Sequence, residues 1–124
     1  MKPYRTLLIA ALLMMSQAFA GDISGYWKLT TEPGWIEINL KQGKGVVARN
    51  DKFPERVGRE FLKNLVARDS EEGPWQGQIF IERLGEYKDA EISMAKPDRL
   101  NIKVKLGFMS RTLEWHRVDT VPVN

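Results

Sequence analysis

Leu100-Asn101-Ile102-Lys103-Val104-Lys105-Leu106 alternates without a break, with four aliphatic residues at even positions and polar ones between them. A period of two places all four aliphatics on one side of an extended chain, the mark of a strand with one buried face. The same rhythm continues on both sides. Upstream, Ala95-Lys96-Pro97-Asp98 suits a turn because proline presets φ. Before it, Tyr87 to Ala95 sets Ala90, Ile92 and Met94 on one side, and Gly77 to Glu82 sets Ile79 and Ile81 on one side, with a turn at Leu84-Gly85-Glu86 between them. Downstream, Met109 to Val118 carries Leu113 and Trp115 on the same side as Arg111 and Arg117.

The first half follows suit. A strand from Gly25 to Thr31 is stopped by Glu32-Pro33-Gly34. In the next, Trp35 to Lys41, Ile36, Ile38 and Leu40 oppose Glu37, Asn39 and Lys41. Gln42-Gly43-Lys44-Gly45 then turns the chain into Gly45 to Arg49. Residues 50–74 are harder to read, since Val57, Phe61, Leu62, Leu65 and Val66 carry the spacing of an amphipathic helix. A helix over 54–68 would seal one end of a barrel, whereas a strand there would add one more stave. Seven or eight short antiparallel strands must bury their inner faces against one another, and closure removes exposed edges. The expectation is an all-β domain, a small antiparallel meander β-barrel of about eight strands. A barrel of that size holds packed side chains or one small ligand.

Composition narrows the function. Lys2 and Arg5 precede an apolar run from Leu7 to Met15, and Ala18-Phe19-Ala20 ends it. That order reads as an export signal over residues 1–20, cleaved before a single domain at 21–124. The run is too short to span a bilayer, so no membrane span is expected after cleavage. Without Lys2 and Arg5 the net charge falls from +3 to +1 and the basic residues are scattered among acids, which gives nucleic acid no basic face. The chain has no cysteine, so packing alone must hold it, and thiolate chemistry is excluded.

The single histidine, His116, has no cysteine or second histidine to share a metal, so no metal site and no cofactor is expected. Ser110 and Thr112 lack a base backed by an acid. Glu71-Glu72 fall in a loop, while Asp89 and Glu91 face away from the apolar side of their strand, so no facing acid pair emerges. The expectation is a protein that is not an enzyme. Of four tryptophans, Trp27 and Trp115 read as filling the barrel base, while Trp35 and Trp75, beside turns, read as rim residues.

Gly25-Tyr26-Trp27 at the first strand, with a late-strand arginine that is either Arg111 or Arg117, is similar to the lipocalin arrangement, in which a tryptophan closes the barrel base under a guanidinium. A longer pattern runs through Trp75-Gln76-Gly77-Gln78-Ile79, Asp98-Arg99-Leu100 and Arg111-Thr112-Leu113-Glu114-Trp115-His116-Arg117, with a fainter match at Val57-Gly58-Arg59. It resembles the exported bacterial domain-of-unknown-function family 2147. Departures from that family include the missing cysteines, Glu82-Arg83 in place of an Asp-Pro, and Ser110 in place of a glycine. The resemblance implies a lipocalin-like barrel in the periplasm and pulls 61–68 toward a strand.

The resulting expectation is a periplasmic lipocalin-like protein that binds a small, mostly apolar molecule. Its cavity walls would be Ile36, Ile38, Leu40, Ile79, Ile81, Ile92, Met94, Ile102, Val104 and Leu113, with Arg111 or Tyr87 at a polar end. Gly25, Trp27, Trp115 and Arg117 would form the base. The alternative is an envelope interaction or inhibitor protein with a packed core, acting through its surface on a protein partner that the sequence does not identify. A bound small molecule would favour the first reading, and an empty barrel with no pocket larger than about 300 Å³ would argue for the second.

Overall fold

The alternation resolves into eight strands: β1 (Gly25–Leu29), β2 (Gly34–Asn39), β3 (Lys44–Asn50), β4 (Glu60–Ala67), β5 (Trp75–Ile81), β6 (Glu86–Lys96), β7 (Arg99–Leu106) and β8 (Met109–Val118). The computed structural model describes residues 22–70 and 73–123; the expected export segment 1–20 and the loop acids Glu71 and Glu72 lie outside the described residues. Each strand pairs antiparallel with the next, and β8 pairs back onto β1 through Trp27↔Arg117 and Leu29↔Trp115, which closes the barrel. Closure leaves no strand with an unpaired edge along the register, as expected for a meander barrel.

Because the strands run up and down, the turns alternate between two ends. The connections at 30–33, 51–59, 82–85 and 107–108 gather at one end, the mouth, and those at 40–43, 68–74 and 97–98 gather at the base. The base is shut from below. Ile23, fully buried, enters with the segment before β1, and its carbonyl accepts a hydrogen bond from Trp27 Nε1 at 2.9 Å. Above it, Trp27, Trp75, Ile38, Ile92, Leu62, Leu100 and Ile102 fill the lower lumen. Burying each such aliphatic contributes roughly 1.5–3 kcal/mol, and in a chain without cysteine this packing holds the barrel together.

The segment 54–68 is one single-turn 3-10 helix, Pro54–Arg56, followed by the strand β4. Its helix-like spacing arises from two irregularities in the ladder. Gly45 pairs with Leu62 but Val46 with Glu60, so Phe61 is an extra residue and packs inward beside Leu62. A second shift between Lys63 and Val66, with Asn64 at φ 55°, turns Leu65 inward and leaves Asn64 and Val66 exposed. Inward positions 61, 62 and 65 therefore imitate one helical face, although the backbone is extended.

Gly77 is required by close approach. A Cβ there would stand 2.8 Å from Leu65 Cδ2 and 2.9 Å from the Lys63 carbonyl oxygen. The bulge that turns Leu65 inward thus depends on a missing side chain on β5.

Candidate functional site

Three inward residues, Trp27, Leu29 and the β8 pair of Leu29, Trp115, mark a change of level: below them the lumen is packed, and above them it opens. At the mouth lies a cavity of about 280 Å³. Leu29, Ile36, Val47, Ile79, Ile81 and Leu113 line it, together with Phe61 and Trp115. Those two rings meet edge to face with centroids 5.7 Å apart. The rim carries Glu32, Lys52, Phe53, Arg56, Glu82 and Arg111. A smaller recess of about 190 Å³ adjoins it, lined by Ile81, Arg83, Val104, Leu106, Arg111 and Leu113. The two share Ile81, Arg111 and Leu113 and form one shallow cup with a side slot.

Local chemistry holds the rim in place. Asn50 Oδ1 accepts hydrogen bonds from the backbone N–H groups of Lys52 and Phe53 at 3.0 and 2.7 Å, which turns the chain across the mouth. The Arg56 guanidinium lies 3.8 Å from the Phe53 ring centroid. Glu82, just after β5, pairs with both Arg56 and Arg59 and ties this loop to the end of the neighbouring strand β5. Trp35, between the Lys28 ammonium and the Arg49 guanidinium at 5.4 and 5.3 Å, also borders the cup but is only 7% exposed.

Of the expected wall residues, Ile36, Ile79, Ile81, Arg111 and Leu113 line the cup, and Val104 lines the side slot. Ile38, Ile92 and Ile102 are instead locked in the packed lower lumen, and Leu40 and Met94 pack against that core near the base. They point inward as expected, but the lumen at their level is full. Tyr87 is corrected outright. It pairs with Phe80, one position out of step with the inward pair Ile79↔Lys88, its hydroxyl donates to the Glu60 carbonyl at 2.7 Å, and its ring lies under Lys63. It belongs to the outer wall.

The base assignments divide as well. Trp27 and Arg117 take the expected places, with the guanidinium 4.3 Å from the indole centroid, and Gly25 lies against Arg117 with φ +128°. The open choice between Arg111 and Arg117 resolves to Arg117. Trp115 is not a base residue but borders the cup, and Trp75, read as a rim residue, is 1% exposed and packs in the core opposite Ile92.

The alternation missed several lining residues. Leu29 shares the parity of Trp27, and Val47 that of Gly45, so both were available to a parity reading. Phe61 was hidden by its bulge, and Phe53 and Arg56 reach the cup from a loop with no periodicity. Ser110 and His116 are six residues apart on one strand, roughly 20 Å at the rise of a β-strand, so they cannot act on one bond. A larger open trough, about 1240 Å³, runs outside the barrel between the tail at 120–123 and residues such as Tyr26, Val46 and Ala48. The tail is held there by Arg49, which donates to the Pro122 carbonyl at 2.5 Å.

No protein-family model, curated protein or solved structure matches the chain.

Proposed function

We propose that this protein is an exported, periplasmic, lipocalin-like binding protein that holds a small, mostly apolar molecule in the cup at its mouth. The observation that carries the reading is the aliphatic and aromatic wall of the cup, Leu29, Ile36, Phe61, Ile79, Leu113 and Trp115, left open above a sealed base. Ligand sites are typically apolar hollows with a few placed polar groups, here the rim arginines. At about 280 Å³, the main hollow falls just under the range of about 300–1,000 Å³ common for such sites; taken alone that size favours a packed, surface-acting protein, and a ligand here is small or inserts only one end.

The placement rests on the export-type order of residues 1–20 and the resemblance to the exported family, and several residues of the motif have structural work in this barrel. Trp75, Gly77 and Ile79 share the inner face of β5, the Asp98 carbonyl receives the Arg117 N–H at 2.9 Å, and Arg111, Trp115 and Arg117 run down the inner face of β8 from mouth to base. The proposed role is binding, without catalysis. Native mass spectrometry of protein released gently from its own periplasm tests it: a population carrying a discrete small-molecule mass is expected, and a uniformly bare chain contradicts the proposal.

One observation favours a second reading, a surface-acting envelope protein. Phe108, at the β7–β8 turn on the mouth, is 99% exposed and Met109 beside it is 62% exposed. Exposed large apolar side chains set close together mark contact sites. A Phe108→Ser variant that loses its cellular effect while retaining its bound mass would favour this reading over the first.

A further inference from the structure

The charges around the cup do not cancel. Lining the cup and its side slot are five cations, Arg49, Lys52, Arg56, Arg83 and Arg111, against two carboxylates, Glu32 and Glu82. Three of the cations are already answered: Arg49 pairs with Asp51, Lys52 with Glu32, and Arg56 with Glu82. Arg83 and Arg111 form no ion pair with any described residue, and both border the side slot. Between them the slot wall is Ile81, Val104, Leu106 and Leu113. Two free guanidiniums at the lip of an aliphatic slot match a molecule with one anionic end and one apolar end.

Resting on the binding reading above, we infer that the ligand is a single-chain amphiphile with an anionic head, whose carboxylate or phosphate lies between Arg83 and Arg111 while its tail enters the cup. Guanidinium donors form a planar fork that fits either oxyanion through paired hydrogen bonds. The tail would leave the slot past Ile81 and Leu113, which border both hollows, and end over Phe61 and Trp115. Two cations bordering one slot without an ion-pair partner favour an anion there over a neutral or cationic group. An uncharged chain of equal length gains only the apolar contact, and a cationic one is opposed.

Calorimetric titration of the delipidated protein with decanoate, decyl phosphate, decanol and decyltrimethylammonium separates these cases. At least one anion is expected to bind tenfold or more tightly than decanol, and the stronger of the two names the head group. In an Arg83→Gln/Arg111→Gln double variant that preference over decanol is expected to vanish. Both side chains are exposed, so the variant keeps its fold, which an unchanged thermal midpoint checks. Equal binding of decanol and both anions, tighter binding of the cation, or a preference that survives the double variant overturns the inference and leaves the cup intact as an apolar site. Binding of none of the four overturns the cup reading together with it.

Discussion

Arg117 and Trp27 lock the barrel base as a pair. The guanidinium lies over the indole at 4.3 Å, while Nη1 donates to the Ser24 carbonyl at 3.0 Å, Nη2 to that of Asp22 at 2.8 Å and Nε to that of Pro97 at 3.1 Å. One side chain on the last strand thus gathers the segment before β1 and the β6–β7 turn around the indole of the first strand. Trp27→Ala is expected to cost about 3–5 kcal/mol, as large-to-small changes in a packed core do. Arg117→Ala is expected to cost about 1.5–3 kcal/mol, the scale of hydrogen bonds made by a charged group. Arg117→Lys should recover only part of that, because one ammonium cannot reach carbonyls on separated segments. Urea midpoints measure all three, and an Arg117→Lys midpoint equal to wild type would show that the forked geometry is unimportant.

Gly77 makes room for the β4 bulge. Gly77→Ala should destabilise by about 1–3 kcal/mol through overpacking against Leu65 and the Lys63 carbonyl. Combining it with Leu65→Ala should not restore stability, since the backbone oxygen stays in the way. A double variant more stable than Leu65→Ala alone would locate the strain elsewhere.

Asn64 holds the left-handed backbone of the same bulge and donates from Nδ2 to Gln78 Oε1 at 2.8 Å. Asn64→Val should cost about 1–2 kcal/mol in backbone strain alone. Asn64→Gly should fall much nearer wild type. Thermal unfolding of the two variants gives the ranking, and Val matching Gly would contradict it.

Phe108 makes no contribution to the packed core. Phe108→Ser is expected to shift stability by no more than about 0.5 kcal/mol, the usual range for exposed positions. A larger drop in the denaturation midpoint would mean that the ring is covered in solution.

The barrel was legible because β2 and β5 to β8 alternate cleanly, so closure and strand number follow from the demand that every inner face be covered. Parity also separates Tyr87 from Ala90, Ile92 and Met94: it is odd where they are even, so its outward position could be read from the sequence. The course of β4 was less plain, because each bulge adds a residue that the partner strand does not match and converts a period of two into apparent helical spacing. The depth of the cup was not legible at all. Ile38, Ile92 and Ile102 obey the same alternation as Ile36, Ile79 and Leu113, and only the closing register of β1 on β8 decides which level each occupies. Trp75 opens a strand that starts at the base, so its low position follows from the up-and-down order, whereas the level of Trp115 follows from its pairing with Leu29.

The most direct test of the account is backbone-amide NMR mapping while a short amphiphile such as decanoate is added. The account predicts saturable shifts at Leu29, Ile36, Phe61, Ile79, Leu113 and Trp115, with Trp27, Ile38 and Leu40 unmoved beneath them. Shifts confined to the outer trough at Tyr26, Val46 and Ala48, or none anywhere, would contradict it.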